Sequence, residues 1–186
     1  MSLSLKIPLV GLVVLLAACR SDPIHYHTLL PAQPAPGTRD GASMQIEQVS
    51  VPPQVDRTQM VIREGNSGLA ILETEWWGAT LSDELQSALV DQLSGSSSGR
   101  KLTLRVDVLR FDSVPGQYAL IDAKWRLRTA VPEETSLPLS CRTTLQTPSG
   151  ATIDELVLAH QNNVKRLAAA ISQAARNPSG GCPAMN

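Results

Sequence analysis

The chain has 186 residues, which is enough for one domain with tails, and 16 Lys and Arg stand against 17 Asp and Glu. Without a block of like charge, and with only 3% aromatic residues, it lacks the basic stripe and the stacking platforms of a nucleic-acid binder. We therefore expect no nucleic-acid partner.

The N-terminus begins with an apolar run over residues 7–18. A spanning helix needs about 20 residues, so this run has the length of a signal-peptide core. The sequence Leu16-Ala17-Ala18-Cys19 resembles a bacterial lipobox, in which the cysteine thiol accepts a diacylglyceryl group. We predict a signal peptide over residues 1–18 and lipid attachment at Cys19. An ordinary secretory signal with a chance cysteine and a buried apolar strand are the alternatives.

The residue after Cys19 bears on the destination of the protein. In many Gram-negative bacteria, aspartate at this position retains a lipoprotein in the inner membrane, whereas this chain has Arg20 there and Asp22 later. By resemblance to that rule, we expect the protein in the inner leaflet of the outer membrane, facing the periplasm. The acyl chains on Cys19 would be its membrane anchor.

Residues 19–43 hold the lipidated N-terminus, a strand-like stretch "IHYHTLL" and a proline-rich segment. His25 and His27 share one face of such a strand, and two imidazoles can bind a metal ion. No third ligand is evident, so polar residues on an edge strand are the favoured interpretation. We expect no metal and no cofactor beyond the acyl lipid.

A single α+β periplasmic domain is predicted over residues 44–186. Residues 44–51 read as a strand, and "QMVIRE" and "GLAILE" read as a hairpin around Gly65-Asn66-Ser67-Gly68. Residues 80–93 read as a helix, because leucines recur every four residues and Ser82, Asp83 and Glu84 suit its first turn.

Two adjacent tryptophans, Trp76 and Trp77, precede this helix. Both cannot point into one core, so we expect at least one to be partly exposed. Tryptophan is enriched at interface hot spots, which makes the pair a candidate interface. The alternative is that one tryptophan packs under the helix and the other lies flat on the surface.

Three segments then alternate apolar and polar residues, over 101–108, 118–128 and 137–145, with a bulge expected near Val108. Strict alternation is typical of antiparallel strands that are buried on one side. Residues 153–176 form the longest predicted helix, with an apolar stripe that contains small residues. Together these elements predict a mixed, mostly antiparallel sheet with two main helices packed on it.

Cys141 and Cys182 remain after Cys19 is used. An even remainder in an oxidising compartment predicts a disulfide that pins the C-terminal tail to a strand. The alternative is two unpaired thiols.

Motifs of catalysis and nucleotide binding are absent from the sequence. No G-x-S-x-G elbow, no P-loop and no G-x-G-x-x-G occurs, and no nucleophile pattern lies near the three histidines. We expect no catalytic residue and no enzymatic activity.

Several motifs together resemble the ABC-type transport auxiliary lipoproteins, the PqiC-like family. They are the lipobox, Tyr26-His27-Thr28-Leu29, the block "VPPQVDRTQMVIR" over residues 51–63, Trp76-Trp77, and Arg110-Phe111-Asp112. His27 replaces the second aromatic residue of the family's first strand. The two later cysteines lie outside the family pattern.

The resemblance implies a non-enzymatic part of an MCE-type, ABC-linked lipid transport system. The lipoprotein would dock the periplasmic tunnel component, an MCE-domain protein, at the outer membrane, with a ring of identical subunits as one form. Two rival interpretations stay open. One is a structural outer-membrane assembly lipoprotein without a transport role, and the other is a periplasmic enzyme.

Overall fold

The computed structural model describes residues 22–33, 43–94, 101–130, 138–177 and 180–183. The lipobox, the middle of the proline-rich segment and Leu137 lie outside these ranges. The described elements are β1 (His25–His27), β2 (Ser43–Ser50), β3 (Gln59–Glu64), β4 (Gly68–Trp77), α1 (Leu81–Leu93), β5 (Lys101–Val114), β6 (Tyr118–Thr129), β7 (Leu139–Pro148) and α2 (Ile153–Arg176).

The strands form two mixed sheets. In the first, the order is β1-β4-β3, with β1 parallel and β3 antiparallel to β4; in the second it is β2-β5-β6-β7, with β2 parallel to β5 and the other pairs antiparallel. The predicted α+β class is confirmed. The single sheet that we expected is divided in two, because β3 pairs locally with β4 while β5, β6 and β7 form their own meander.

The alternating strands bury one face as predicted. Leu102, Leu104 and Val106 of β5 are buried, and α2 packs over β6 and β7 while α1 contacts β2. The bulge expected near Val108 occurs between Val108 and Arg110, and β5 continues beyond it to Val114. The other face of this sheet carries mostly polar and charged side chains.

The helix ends follow from capping. The predicted range of α2 matches the observed one, and Thr152 with Glu155 forms a capping box at its start. At α1, Asp83 and Glu84 lie in the first turn as expected, and the N-cap is Thr80, whose hydroxyl accepts from the Asp83 N–H. Ser82 donates through its N–H and hydroxyl to Asp56 Oδ1, at 3.1 and 2.8 Å.

The C-terminal tail is attached to β7 by a disulfide between Cys141 and Cys182, the pairing that the cysteine count predicted. Cys141 is buried on the inward face of β7. The bond closes a sequence separation of 41 residues, and such a loop contributes about 3–4 kcal/mol on the chain-entropy model.

An ion pair connects the two sheets. Arg63 on β3 donates from Nη2 to Asp112 Oδ1 on β5 at 3.0 Å, and the Asp112 side chain is only 4% exposed. Arg110 forms a second ion pair with the other carboxylate oxygen. A carboxylate removed from water in this way depends on its cations, since an unpaired buried charge is costly.

We expect Arg63→Ala to lower the free energy of unfolding by about 3–5 kcal/mol, because it leaves the buried Asp112 charge undercompensated. Arg105→Ala is the matched control: Arg105 pairs with Asp107 at 3.5 Å, but both side chains are nearly half exposed. Exposed pairs of this kind contribute about 0–1 kcal/mol. Urea unfolding of both variants is the measurement, and equal losses would contradict the role given to Arg63.

Candidate docking site at the N-terminal end of the domain

The first described segment of the chain is held against the domain at several points. Its residues 25–30, here called the N-terminal latch, begin with β1, which runs parallel to the end of β4 and pairs Tyr26 with Trp76. The Gly78 N–H donates to the His27 carbonyl at 2.8 Å. Backbone pairing thus continues to the point where the chain leaves β4.

A buried carboxylate then fixes the turn after β1. Glu84 on α1 accepts at one oxygen, Oε2, from the Thr28 hydroxyl at 2.7 Å and from the Leu29 N–H at 2.8 Å. A Cβ on Gly78 would lie 3.0 Å from the other oxygen of Glu84, so a glycine leaves room for this arrangement. Leu29 itself is 1% exposed and belongs to the main core.

The second helix holds the same segment from another side. The Gln161 side-chain amide of α2 donates to the carbonyls of Thr28 and Leu30, at 3.0 and 3.2 Å. Both helices therefore bind backbone groups of the N-terminal latch: α1 accepts from the buried Leu29 N–H, and α2 donates to two carbonyls in an exposed setting.

The two histidines of β1 face one carboxylate. His25 Nδ1 lies 3.0 Å from Glu75 Oε1, and His27 Nε2 lies 2.6 Å from Glu75 Oε2. Partial burial raises the pKa of Glu75, but the hydrogen bonds from His27 and His25 outweigh it and leave the pKa below its ordinary value. Across the described part of the chain, no group of three or more His, Cys, Asp or Glu side chains is arranged to hold a metal ion.

The structure separates the two tryptophans. Trp77 is 2% exposed and lies in the core, so the expectation that it offers a contact surface is wrong. Trp76 is half-buried on the other side of β4 and meets Tyr26 edge to face, with ring centroids 6.3 Å apart. Tyr26 is 66% exposed, and Ile24, two residues before it, is exposed as well. Tyr26 and Trp76, here called the aromatic pair, form an accessible surface where the chain enters the domain.

Trp77 packs instead against a buried histidine. His160 of α2 stacks on Phe111 at 4.0 Å between centroids, meets Trp77 edge to face, and hydrogen-bonds the Ser113 hydroxyl at 2.9 Å. Burial lowers the pKa of His160 to about 3, so the ring is neutral at physiological pH.

The Ser113–His160 contact was missed in the sequence, because the two residues lie on different elements. A serine beside a histidine resembles part of a nucleophile–base pair. Here both side chains are buried, at 2% and 0% exposure, so a substrate has no access to them. The contact is an element of core packing.

Comparison with known proteins gives the family. The model of the family described as ABC-type transport auxiliary lipoprotein component matches residues 27–172, which is most of the chain. The chain belongs to this family. The resemblance read from the motifs is thereby confirmed, and the chain is a member of a family of transport auxiliary lipoproteins. No curated protein sequence matches it.

Solved structures support the fold. The crystal structure of an uncharacterized protein has a TM-score of 0.64 at 19% identity and covers 82% of this chain and 98% of its own. The crystal structure of a Xanthomonas campestris protein has a TM-score of 0.62 at 16% identity and covers 84% of this chain and 97% of its own. At these identities the likeness concerns the fold alone. Neither α1 nor α2, nor any other helix in the described ranges, has the length and apolarity of a membrane crossing.

Two residues of the site were not found by sequence reasoning. Glu84 was assigned to the helix dipole, yet it is buried and receives two hydrogen bonds from the N-terminal latch. Gln161 carried no signal at all. The sequence places Glu84 in the first turn of the helix, but its hydrogen-bond partners, Thr28 and Leu29, lie more than 50 residues away along the chain.

Leu29→Ala is expected to lower the free energy of unfolding by about 2–5 kcal/mol, the cost of a cavity at a buried leucine. Leu30→Ala is the matched control, because Leu30 is the next residue and is 36% exposed. Urea denaturation compares the two variants. Equal stability of both would mean that the N-terminal latch does not belong to the core.

Stability should also depend on pH through His160. Because its folded pKa lies below the unfolded value of 6.5, the contribution is complete above pH 6.5 and declines as the pH falls toward about 3. Between pH 7 and 5 we expect the wild type to lose about 2 kcal/mol more than His160→Asn, at 1.36 kcal/mol per pKa unit. Urea midpoints at both pH values test this, and an identical pH dependence of the two proteins would contradict a neutral buried ring.

Proposed function

We propose that the protein is a non-enzymatic auxiliary lipoprotein of an MCE-type, ABC-linked lipid transport system. Acyl chains on Cys19 would anchor it in the inner leaflet of the outer membrane, and the domain would dock the periplasmic MCE-domain protein there. The family membership over residues 27–172 supports the transport role. The observation that carries the docking role is the exposed aromatic pair beside the N-terminal latch.

The latch limits how far the domain can move from the anchor. With β1 fixed in the first sheet, five residues, 20–24, separate Cys19 from the domain, and five extended residues span at most about 18 Å. Such a tether holds the domain in a thin layer at the membrane surface. Confinement of this kind raises the effective concentration of the domain for a partner that reaches the same layer.

The aromatic pair has the chemistry of an interface centre. Tyr and Trp supply large contact area at a low entropy cost, and they are enriched among residues that dominate binding energy. Trp76 is oriented by its own indole N–H, which donates to the Glu73 carbonyl at 2.9 Å. A side chain held in place before binding loses less freedom when a partner covers it.

The contact can be captured directly by a photo-crosslinking amino acid at position 76 in intact envelopes. We expect an MCE-domain protein, or a second copy of the chain in a ring, to be captured. Position 158 is the control, because Leu158 is 61% exposed but lies on α2. Capture of barrel or other envelope components alone would favour a structural assembly lipoprotein, and the same products from both positions would contradict a specific site.

A substitution tests the energetic role of the same surface. Trp76→Ala should weaken co-purification of the MCE-domain partner about tenfold or more, as expected for a hot spot. Leu158→Ala should leave it unchanged. Since Trp76 is only half-buried, unfolding in urea verifies that the variant domain remains intact, and undiminished co-purification would remove Trp76 from the interface.

A further inference from the structure

The outward face of the second sheet carries a cluster of cations. Register places them on neighbouring strands, β5, β6 and β7, with their side chains exposed on the face opposite the helices. This basic face consists of Arg105, Lys124, Arg126, Arg128 and Arg142. It is notable in a chain whose formal net charge is −1.

The strand register brings like charges opposite each other. Arg105 is paired with Arg126 across β5 and β6, and Lys124 is paired with Arg142 across β6 and β7. Like charges directly opposite destabilise a sheet. Asp107 lies opposite Lys124 and Asp122 pairs with Arg142, whereas the residues opposite Arg126 are Arg105 and Ser140, so Arg126 faces no carboxylate in the register of the described strands. Residues that break a local rule in this way are commonly functional.

Part of this charge is neutralised within the protein. Arg142 donates to both oxygens of Asp122, which lowers the pKa of that carboxyl, and Arg105 pairs with the exposed Asp107. Within the described ranges, neither Arg126 nor Arg128 has an acidic partner. Among the described residues, the cations of the basic face without an ion pair therefore lie on β6, with Arg126 and Arg128 toward its end and Lys124 nearer its middle.

A small cavity of about 60 Å³ opens at this place. Its lining combines Thr103, Arg105, Arg126 and Arg128 with Glu47 from β2. Glu47 comes from the point where β2 bulges between Ile46 and Gln48. Three guanidinium groups and one carboxylate leave the lining with a net charge of +2, in a space that exceeds what a single water needs.

We propose that this cavity binds the phosphate group of a small anionic ligand. Guanidinium groups bind phosphate in a bidentate manner, and the Thr103 hydroxyl can donate a further hydrogen bond. Glu47 would accept from a hydroxyl carried next to the phosphate. Phosphate of this kind occurs as a free anion and in the headgroup of a phospholipid, and the two sources share the chemistry of this site.

The site is separate from the candidate docking surface. The aromatic pair belongs to the other sheet, and the cavity opens on the face that the helices leave uncovered. The proposal therefore does not depend on the transport role, and either can fail alone.

Isothermal titration of the full chain in dodecyl maltoside, at constant ionic strength, is the test. The probes are inorganic phosphate and monomeric dihexanoylphosphatidylglycerol. We expect binding of at least one probe, weakened tenfold or more in Arg126→Gln and less in Arg126→Lys. Lys124→Gln is the matched control, because it removes one charge from the same face and strand, two residues away and outside the cavity.

Each outcome decides the proposal. Tighter binding of the lipid than of phosphate supports a headgroup as the source, and equal binding supports the phosphate group alone. If neither probe binds at ligand concentrations up to about 10 mM, about tenfold above a millimolar dissociation constant, the site is overturned. Equal weakening by Arg126→Gln and Lys124→Gln overturns it too, since attraction would then be spread over the face.

One further ligand and one further variant distinguish binding of an external phosphate from binding of carboxylates. Hexaglutamate that binds where phosphate does not would make the basic face a contact for acidic protein segments and overturn the proposal. Glu133 and Glu134 follow β6 in the sequence, outside the described residues. Phosphate binding seen only in their double glutamine variant would mean that the chain's own carboxylates occupy the cations, which also overturns it.

Discussion

One carboxylate oxygen, Glu84 Oε2, accepts from both the Thr28 hydroxyl and the Leu29 N–H, and the position of the N-terminal latch depends on it. With this oxygen in place, Leu29 fills the core and β1 pairs with the end of β4. Without it, a buried backbone N–H would be unsatisfied, which costs about 1–3 kcal/mol. If the latch detached, 23 residues, 20–42, would separate Cys19 from β2, about 80 Å when stretched, and a close tether would be lost.

The residues that carry the family resemblance mostly build this scaffold. Asp56 accepts from Ser82 in the first turn of α1, Arg63 joins Asp112 across the two sheets, and Trp77 fills the core against Phe111. The half-buried Trp76, beside the exposed Tyr26, is what remains for contact with a partner. Most residues of the family motif therefore stabilise the fold, whereas the proposed docking role depends on one side chain of the motif.

Local patterns in the sequence predicted the elements well. Periodicity located α2 and the bulge near Val108, and the glycine-rich turn located the β3–β4 hairpin. Features that depend on register were missed. Arg105 and Arg126 are 21 positions apart and become neighbours only when β5 pairs with β6, so a search for blocks of like charge could not find the basic face. The same limitation hid the burial of Glu84, whose partners lie on another element.

The central claim is that the N-terminal latch is part of the folded domain, and hydrogen exchange at the Leu29 amide tests it most directly. Because this N–H is buried and donates to Glu84 at 2.8 Å, its exchange should require global unfolding and match the slowest amides of β5 and β6. The neighbouring Leu30 amide, bonded to the Thr28 hydroxyl in an exposed setting, is an internal comparison. Exchange of Leu29 as fast as in a fraying terminus, with the amides of β5 and β6 still protected, would contradict the account.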